Sequence, residues 1–389
     1  MRLHAYAGIA GITLGFLLGC QPAPAPETEP EGAATPAATP AAGTFPGASA
    51  PVTEEKKQMA TLAFLAYLGD DLKGSDEEVE NKLDECVTSA LETQEGVGNW
   101  SLAWGPAVYH FSHAKLDDNM MYVVRDTSTP STLAIVVRGT NSKALLDWLV
   151  EDFEVIREVP WTTGSAPANA KVSRGTSEGL KILTTMTAEG GPVPGQTLVQ
   201  FLEQEAGRHP GGLDLYVTGH SLGGALSPAL ALWLSETLGS KARISVYPLA
   251  GPTPGNAEFA AYYDGSAIGS TTERMWNPYD IVPLAWEHET METWADLYEP
   301  VTRANAVERG LIDALMAVTK DKGYTQIEAS QPALSGAIYT GEKIGWASEA
   351  GWQHHCGYQC ALGINVLTSV PSCPSKGEQY PCPAEACPK

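Results

Sequence analysis

Gly219-His220-Ser221-Leu222-Gly223 fits G-x-S-x-G, the pattern in which a serine hydroxyl is raised at a sharp strand-to-helix bend. Such a serine does acyl-transfer chemistry: its oxygen attacks a carbonyl carbon once a neighbouring base removes the proton. The pattern alone is weak, and the chain holds a second match, Gly175-Thr176-Ser177-Glu178-Gly179. Context separates the two. Residues 213–218 read as a buried strand ahead of Ser221, and Gly223, Gly224 and Ala225 keep the following helix slim where backbones must meet. Ahead of Gly175 stand only Lys171, Val172, Ser173 and Arg174, too short and polar for a central strand, and Glu178 would oppose a developing oxyanion. Ser221 is the expected nucleophile, and Ser177 reads as part of a helix N-terminus.

Elements able to hold such a bend recur along the chain. Strand-like runs lie at residues 121–124, 133–137, 213–218 and 244–248, with 274–276 as a last short strand. The 133–137 run is unbroken Leu-Ala-Ile-Val-Val, as in a strand covered on both faces. Helical spacing of apolar residues marks 54–68 and 222–238. Strands alternating with helices imply an α/β protein with a mainly parallel central sheet and helices on both faces.

Four blocks then occur in one order: Ile135-Val136-Val137-Arg138-Gly139-Thr140 with Asp147-Trp148; Gly219 to Ala225; Leu249-Ala250-Gly251-Pro252-Thr253-Pro254-Gly255-Asn256; and Asn277-Pro278-Tyr279-Asp280-Ile281-Val282-Pro283. Together they resemble the class 3 (fungal-type) lipases, over roughly residues 55 to 368. The resemblance implies the α/β-hydrolase fold and an acyl-enzyme mechanism that needs no cofactor and no metal.

In that fold the acid and then the base follow the serine. Asp280 is the expected acid, held between Pro278 and Pro283; its bland alternative is a turn Asp binding its own backbone, and Asp264 and Asp296 are the fallback acids. For the base, His288 sits among Glu287, Glu289 and Glu292 and reads as solvated surface. His354 and His355 remain, adjacent on one loop. His355 with Tyr358 reproduces the His-x-x-Tyr spacing of fungal lipases, whereas Gln353-His354 with Tyr358 resembles bacterial relatives. His354 is preferred and His355 stays open. The oxyanion hole is expected from the Leu222 backbone N–H, delivered by the bend, and from Thr140, which matches the family's Ser or Thr. Residues 144–153 can form an amphipathic helix where fungal-type lipases carry a mobile lid, or a fixed helix packed on the sheet.

The totals narrow the partners. The 389 residues carry 46 Asp plus Glu against 24 Lys plus Arg, a formal net charge of -22, which disfavours nucleic acid. No run is long enough to span a bilayer. Residues 1–20 read as an export signal, and Leu17-Leu18-Gly19-Cys20 resembles a bacterial lipobox with Cys20 as the lipidated residue. Residues 21–52 follow as a Pro- and Ala-rich spacer with too little apolar surface to fold. Gln21 after Cys20 resembles lipoproteins sent to an outer membrane; a periplasmic or secreted protein is the alternative. A hydrolase domain is expected over 53–370 and a Cys/Pro-rich tail over 371–389. The remaining cysteines, Cys86, Cys356, Cys360, Cys373, Cys382 and Cys387, are even in number in an exported chain and favour disulfides over a zinc knuckle, whose spacings they do not match.

The combined expectation is a lipid-anchored serine hydrolase acting on carboxylic esters, with triacylglycerol lipase first and phospholipase A1 or aryl/feruloyl esterase as alternatives. A non-catalytic surface lipoprotein that binds through the same scaffold is the alternative of another class.

Overall fold

In the computed structural model, residues 49–109, 119–139, 155–340, 345–367, 369–370, 382 and 387 are described. At its centre lie five strands in spatial order: β1 (Trp100–Tyr109), β2 (Asn119–Asp126), β3 (Thr132–Val137), β4 (Leu213–His220) and β5 (Ala242–Leu249). The sheet is mixed. β2 runs antiparallel to both β1 and β3, while β3, β4 and β5 are parallel. Parallel bridges from Val246 to Thr272 and from Leu249 to Met275 extend the parallel half where a last short strand was expected. The β-then-α alternation in the sequence describes that half alone.

Side-chain alternation along the strands splits the core in two, as a period of two requires. Met121, Val123, Leu133, Ile135 and Val217 face one layer, with Leu183, Phe201, Ala225 and Leu226. These come from α3 (Arg174–Thr185), α4 (Leu198–Arg208) and α5 (Leu222–Leu238). Met120, Tyr122, Val124, Ala134 and Val136 face the other, with Leu62, Leu65, Leu83 and Leu362 from α1 (Glu54–Leu65), α2 (Asp76–Thr93) and the late helix Trp346–Leu362. Burying each such Leu, Ile or Val contributes roughly 1.5–3 kcal/mol relative to leaving it in water. The continuous apolar run of β3 is explained by this double cover.

α5 is buried nearly all round except at its polar last turn, consistent with its mostly apolar sequence and its place against β3, β4 and β5. Beyond β5 come α6 (Ala257–Asp264), a single turn at His288–Met291, α7 (Ala306–Thr319), started by an Asn305 capping box, and α8 (Trp346–Leu362). Gly363, at φ 63°, ends α8 in the left-handed conformation that glycine adopts without strain. Cys356 and Cys360, one turn apart on α8, bond to Cys382 and Cys387. Cys86, buried on α2, is also disulfide-bonded. Cys373 lies outside the described residues.

So do Cys20, most of the 21–52 spacer, Thr140 and the 144–153 segment. Among the described residues no helix is long and apolar enough to cross a membrane.

Candidate active site

β4 and α5 meet at Ser221, whose backbone sits at φ 62° and ψ -123°. A side chain there costs of order 1–3 kcal/mol, so the surroundings must hold it. Ser221 N–H donates to the Leu249 carbonyl at 3.0 Å, and Ala225 N–H donates back to the Ser221 carbonyl at 3.1 Å. Glycines admit the close approach. A Cβ on Gly223 would lie 3.0 Å from the Val137 carbonyl carbon, and one on Gly224 2.8 Å from the Gly251 nitrogen. Larger residues at either position would push α5 off the strand ends. Ser221 therefore opens α5, where the unpaired backbone N–H groups of the first turn favour negative charge. Leu222 is the first residue of that turn.

The late histidines lie on α8, not on the loop that was expected. Helical geometry separates neighbours by roughly 100° about the axis, so two adjacent imidazoles face different surroundings. His354 Nε2 is 2.8 Å from Ser221 Oγ, and its Nδ1 is 2.8 Å from Asp280 Oδ2. Because the carboxylate only accepts, Nδ1 carries the hydrogen and Nε2 presents its lone pair to the serine hydroxyl. His355 points elsewhere, its ring 5.2 Å from that of His220 and 6.4 Å from that of Tyr67. Burial, with His354 beside it, pushes the His355 imidazole down to about 3 and keeps it neutral.

Asp280 is fully buried and both its oxygens are engaged. Oδ1 accepts from Val282 N–H at 3.0 Å, the local turn contact that was the bland alternative, while Oδ2 accepts from His354 and from Tyr358 Oη at 2.9 Å. Both roles coexist. Tyr358, one helical turn beyond His354, shares its face of α8. Burial, and then the nearby Asp280, hold its phenol well above the usual range, so it stays a donor. Its oxygen accepts from Asn277 N–H at 3.1 Å, and Asn277 Nδ2 donates to Gln353 Oε1 at 2.7 Å. Asn277 and Gln353 thus tie the Asp280 turn to α8. Sequence reasoning gave neither a role, and no local pattern announces a pairing 76 residues apart.

The other candidates lie apart. Asp264, exposed, accepts from Glu328 N–H, and Asp296 pairs with Arg309. His288 is half-buried rather than fully solvated, with Nε2 3.8 Å from Glu292. Ser177 lies in the first turn of α3, behind the Ser173 N-cap. Thr140 is outside the described residues, but Gly139 before it abuts the bend: a Cβ there would lie 3.1 Å from that of Ser221. Among the described residues no cluster of His, Cys, Asp or Glu could hold a metal ion.

A hydroxyl, an imidazole and a carboxylate in one hydrogen-bonded line, at a helix start, can generate and stabilise an alkoxide nucleophile. Residues 134–290, which contain the bend and Asp280, match the family Lipase (class 3). The solved structure of M37 lipase is 34% identical, the likeness covering 79% of this chain and 92% of that one with a TM-score of 0.72. The chain belongs to the class 3 lipase family. Two further lipases, from Rhizopus niveus and Rhizopus oryzae, are each 29% identical over 188 residues, 46% of this chain. This class 3 family member spans 42% of the length of either of those relatives. Its α/β-hydrolase fold carries the mixed sheet described above.

Proposed function

We propose that this protein is a serine hydrolase of carboxylic esters, with triacylglycerols as its first substrate class. What carries the proposal is the unbroken chain from Ser221 Oγ through His354 to Asp280, at 2.8 Å for each link. In the first half-reaction Ser221 Oγ attacks the ester carbonyl while His354 Nε2 takes its proton. Asp280 stabilises the imidazolium that forms. The oxyanion is held by the Leu222 backbone N–H and by Thr140. His354 then hands its proton to the departing alcohol, leaving an acyl-enzyme. Water, deprotonated by the same imidazole, releases the acid and restores the serine. That the relatives are lipases supports the lipid-ester class.

The test uses purified wild type and Ser221→Ala with p-nitrophenyl esters, triglycerides and phospholipids, beside labelling by a fluorophosphonate probe. The expected result is stoichiometric labelling and triglyceride hydrolysis by wild type, with labelling abolished and turnover lowered by about 10⁶-fold in Ser221→Ala. Folded wild type that neither labels nor hydrolyses any ester would leave a non-catalytic scaffold instead.

The proposed organisation adds export over residues 1–20, acylation of Cys20, a spacer over 21–52, the hydrolase domain over 53–370 and a tail over 371–389. The Leu17-Leu18-Gly19-Cys20 pattern and the Pro/Ala composition behind it support anchoring at an outer membrane. Cell fractionation checks this: Cys20→Ser is expected to move the protein from the membrane to the soluble fraction, and unchanged membrane association would refute the anchor.

A further inference from the structure

The residue before the nucleophile is a histidine that the proposed mechanism leaves unused. His220 is completely buried, its ring 4.6 Å from that of His354 and 4.7 Å from that of Phe64. Its Nε2 lies 2.8 Å from the His354 backbone carbonyl. A carbonyl only accepts, so Nε2 carries the hydrogen. Burial, reinforced by His354 and His355, keeps His220 well below the usual imidazole range and therefore neutral. Nδ1 is then an acceptor, and Tyr67 Oη, 2.9 Å away, donates to it. Gly139 abuts the same phenol oxygen and has no room for a Cβ against it. Tyr67 lies just past α1, more than 150 residues before His220.

We propose that Tyr67 and His220 are a positioning pair. Their chain of hydrogen bonds, Tyr67 to His220 Nδ1 and His220 Nε2–H to the His354 carbonyl, with Tyr67 packed against Gly139, fixes the backbone of His354 relative to the bend and to the end of β3. Neither residue touches substrate. Both act by holding His354 within reach of Ser221 Oγ, where an error near 1 Å can cost about 100-fold in rate. The proposal rests on the hydrolase reading above.

The test is a double-mutant cycle on the full protein with a soluble short-chain ester, each rate expressed per fluorophosphonate-labelled serine so that unfolded material does not count. Tyr67→Phe is expected to lower kcat by about 10- to 50-fold with KM unchanged within about twofold, and His220→Phe to lower kcat by about 100-fold. The double variant is expected to match His220→Phe within about threefold, because both substitutions break one chain. His220→Gln, which keeps a donor for the His354 carbonyl, is expected to recover most of the kcat lost in His220→Phe. Should His220→Phe not fold, the same cycle is run with His220→Gln as the partner of Tyr67→Phe. A Tyr67→Phe kcat within threefold of wild type, or losses that multiply in the double variant, would overturn the positioning role while leaving the hydrolase intact. Loss of labelling and turnover in wild type would instead overturn the hydrolase itself.

Discussion

His354→Ala is expected to lower ester turnover by about 10⁵- to 10⁶-fold, whereas His355→Ala lowers it by less than about tenfold. The two residues are adjacent, share chemistry and sit on one helix, so the contrast isolates geometry. His354 reaches Ser221 Oγ with one ring nitrogen and Asp280 with the other. His355 lies against His220 and Tyr67, and its environment keeps it neutral. Losing the first imidazole leaves the serine protonated and the leaving group without a donor. Losing the second leaves a packing defect beside the site. Steady-state kinetics on a p-nitrophenyl ester, with thermal unfolding to confirm that both variants fold, decides the matter. A larger loss for His355→Ala than for His354→Ala would overturn the assignment.

For Asp280→Asn the expected loss in kcat is about 10⁴-fold at neutral pH, with the fold retained. The amide is nearly isosteric, and Oδ1 can go on accepting from Val282 N–H. At the Oδ2 position it presents an NH₂ group, which cannot accept from His354 Nδ1–H or from Tyr358 Oη. The imidazole then favours the tautomer with its hydrogen on Nε2, which has no lone pair to offer Ser221. Tyr358 also loses its acceptor in a fully buried site, a cost of about 1–3 kcal/mol in stability. Kinetics and a melting curve on one preparation separate the two effects. Rates within tenfold of wild type would mean that another carboxylate serves the imidazole; Asp264 accepts from Glu328 N–H and Asp296 pairs with Arg309.

How far the fold was legible depended on whether its causes were local. Residues 222–238 were read as a helix and are one, because glycines at its start and an apolar run behind them carry the signal within a few turns. β3 and β4 were found within one or two residues for the same reason. β1 was not anticipated. Its inner residues are buried on both faces, so it shows no alternation, and its register with β2 shifts twice around Gly105-Pro106. α8 is likewise not legible in the sequence, where its histidines read as loop residues. Gly351, Gly357, two cysteines and two histidines make poor helix propensity. Tertiary contacts outweigh it: Asn277 packs where a Cβ on Gly357 would intrude, and two disulfides tie the helix to Cys382 and Cys387.

By itself the sequence determined which serine stands at a strand-to-helix bend, because that bend is built from contiguous residues whose sizes and polarities are on view. It also narrowed the candidate acid and base to a few positions through their order along the chain. Only the tertiary structure decided which of two adjacent imidazoles meets the hydroxyl, and that Asn277, Gln353 and Tyr358 surround the acid. The physical reason is that side-chain direction on a helix turns by roughly 100° per residue. A pairing across 133 residues is fixed by how α8 packs, which no local run of residues encodes.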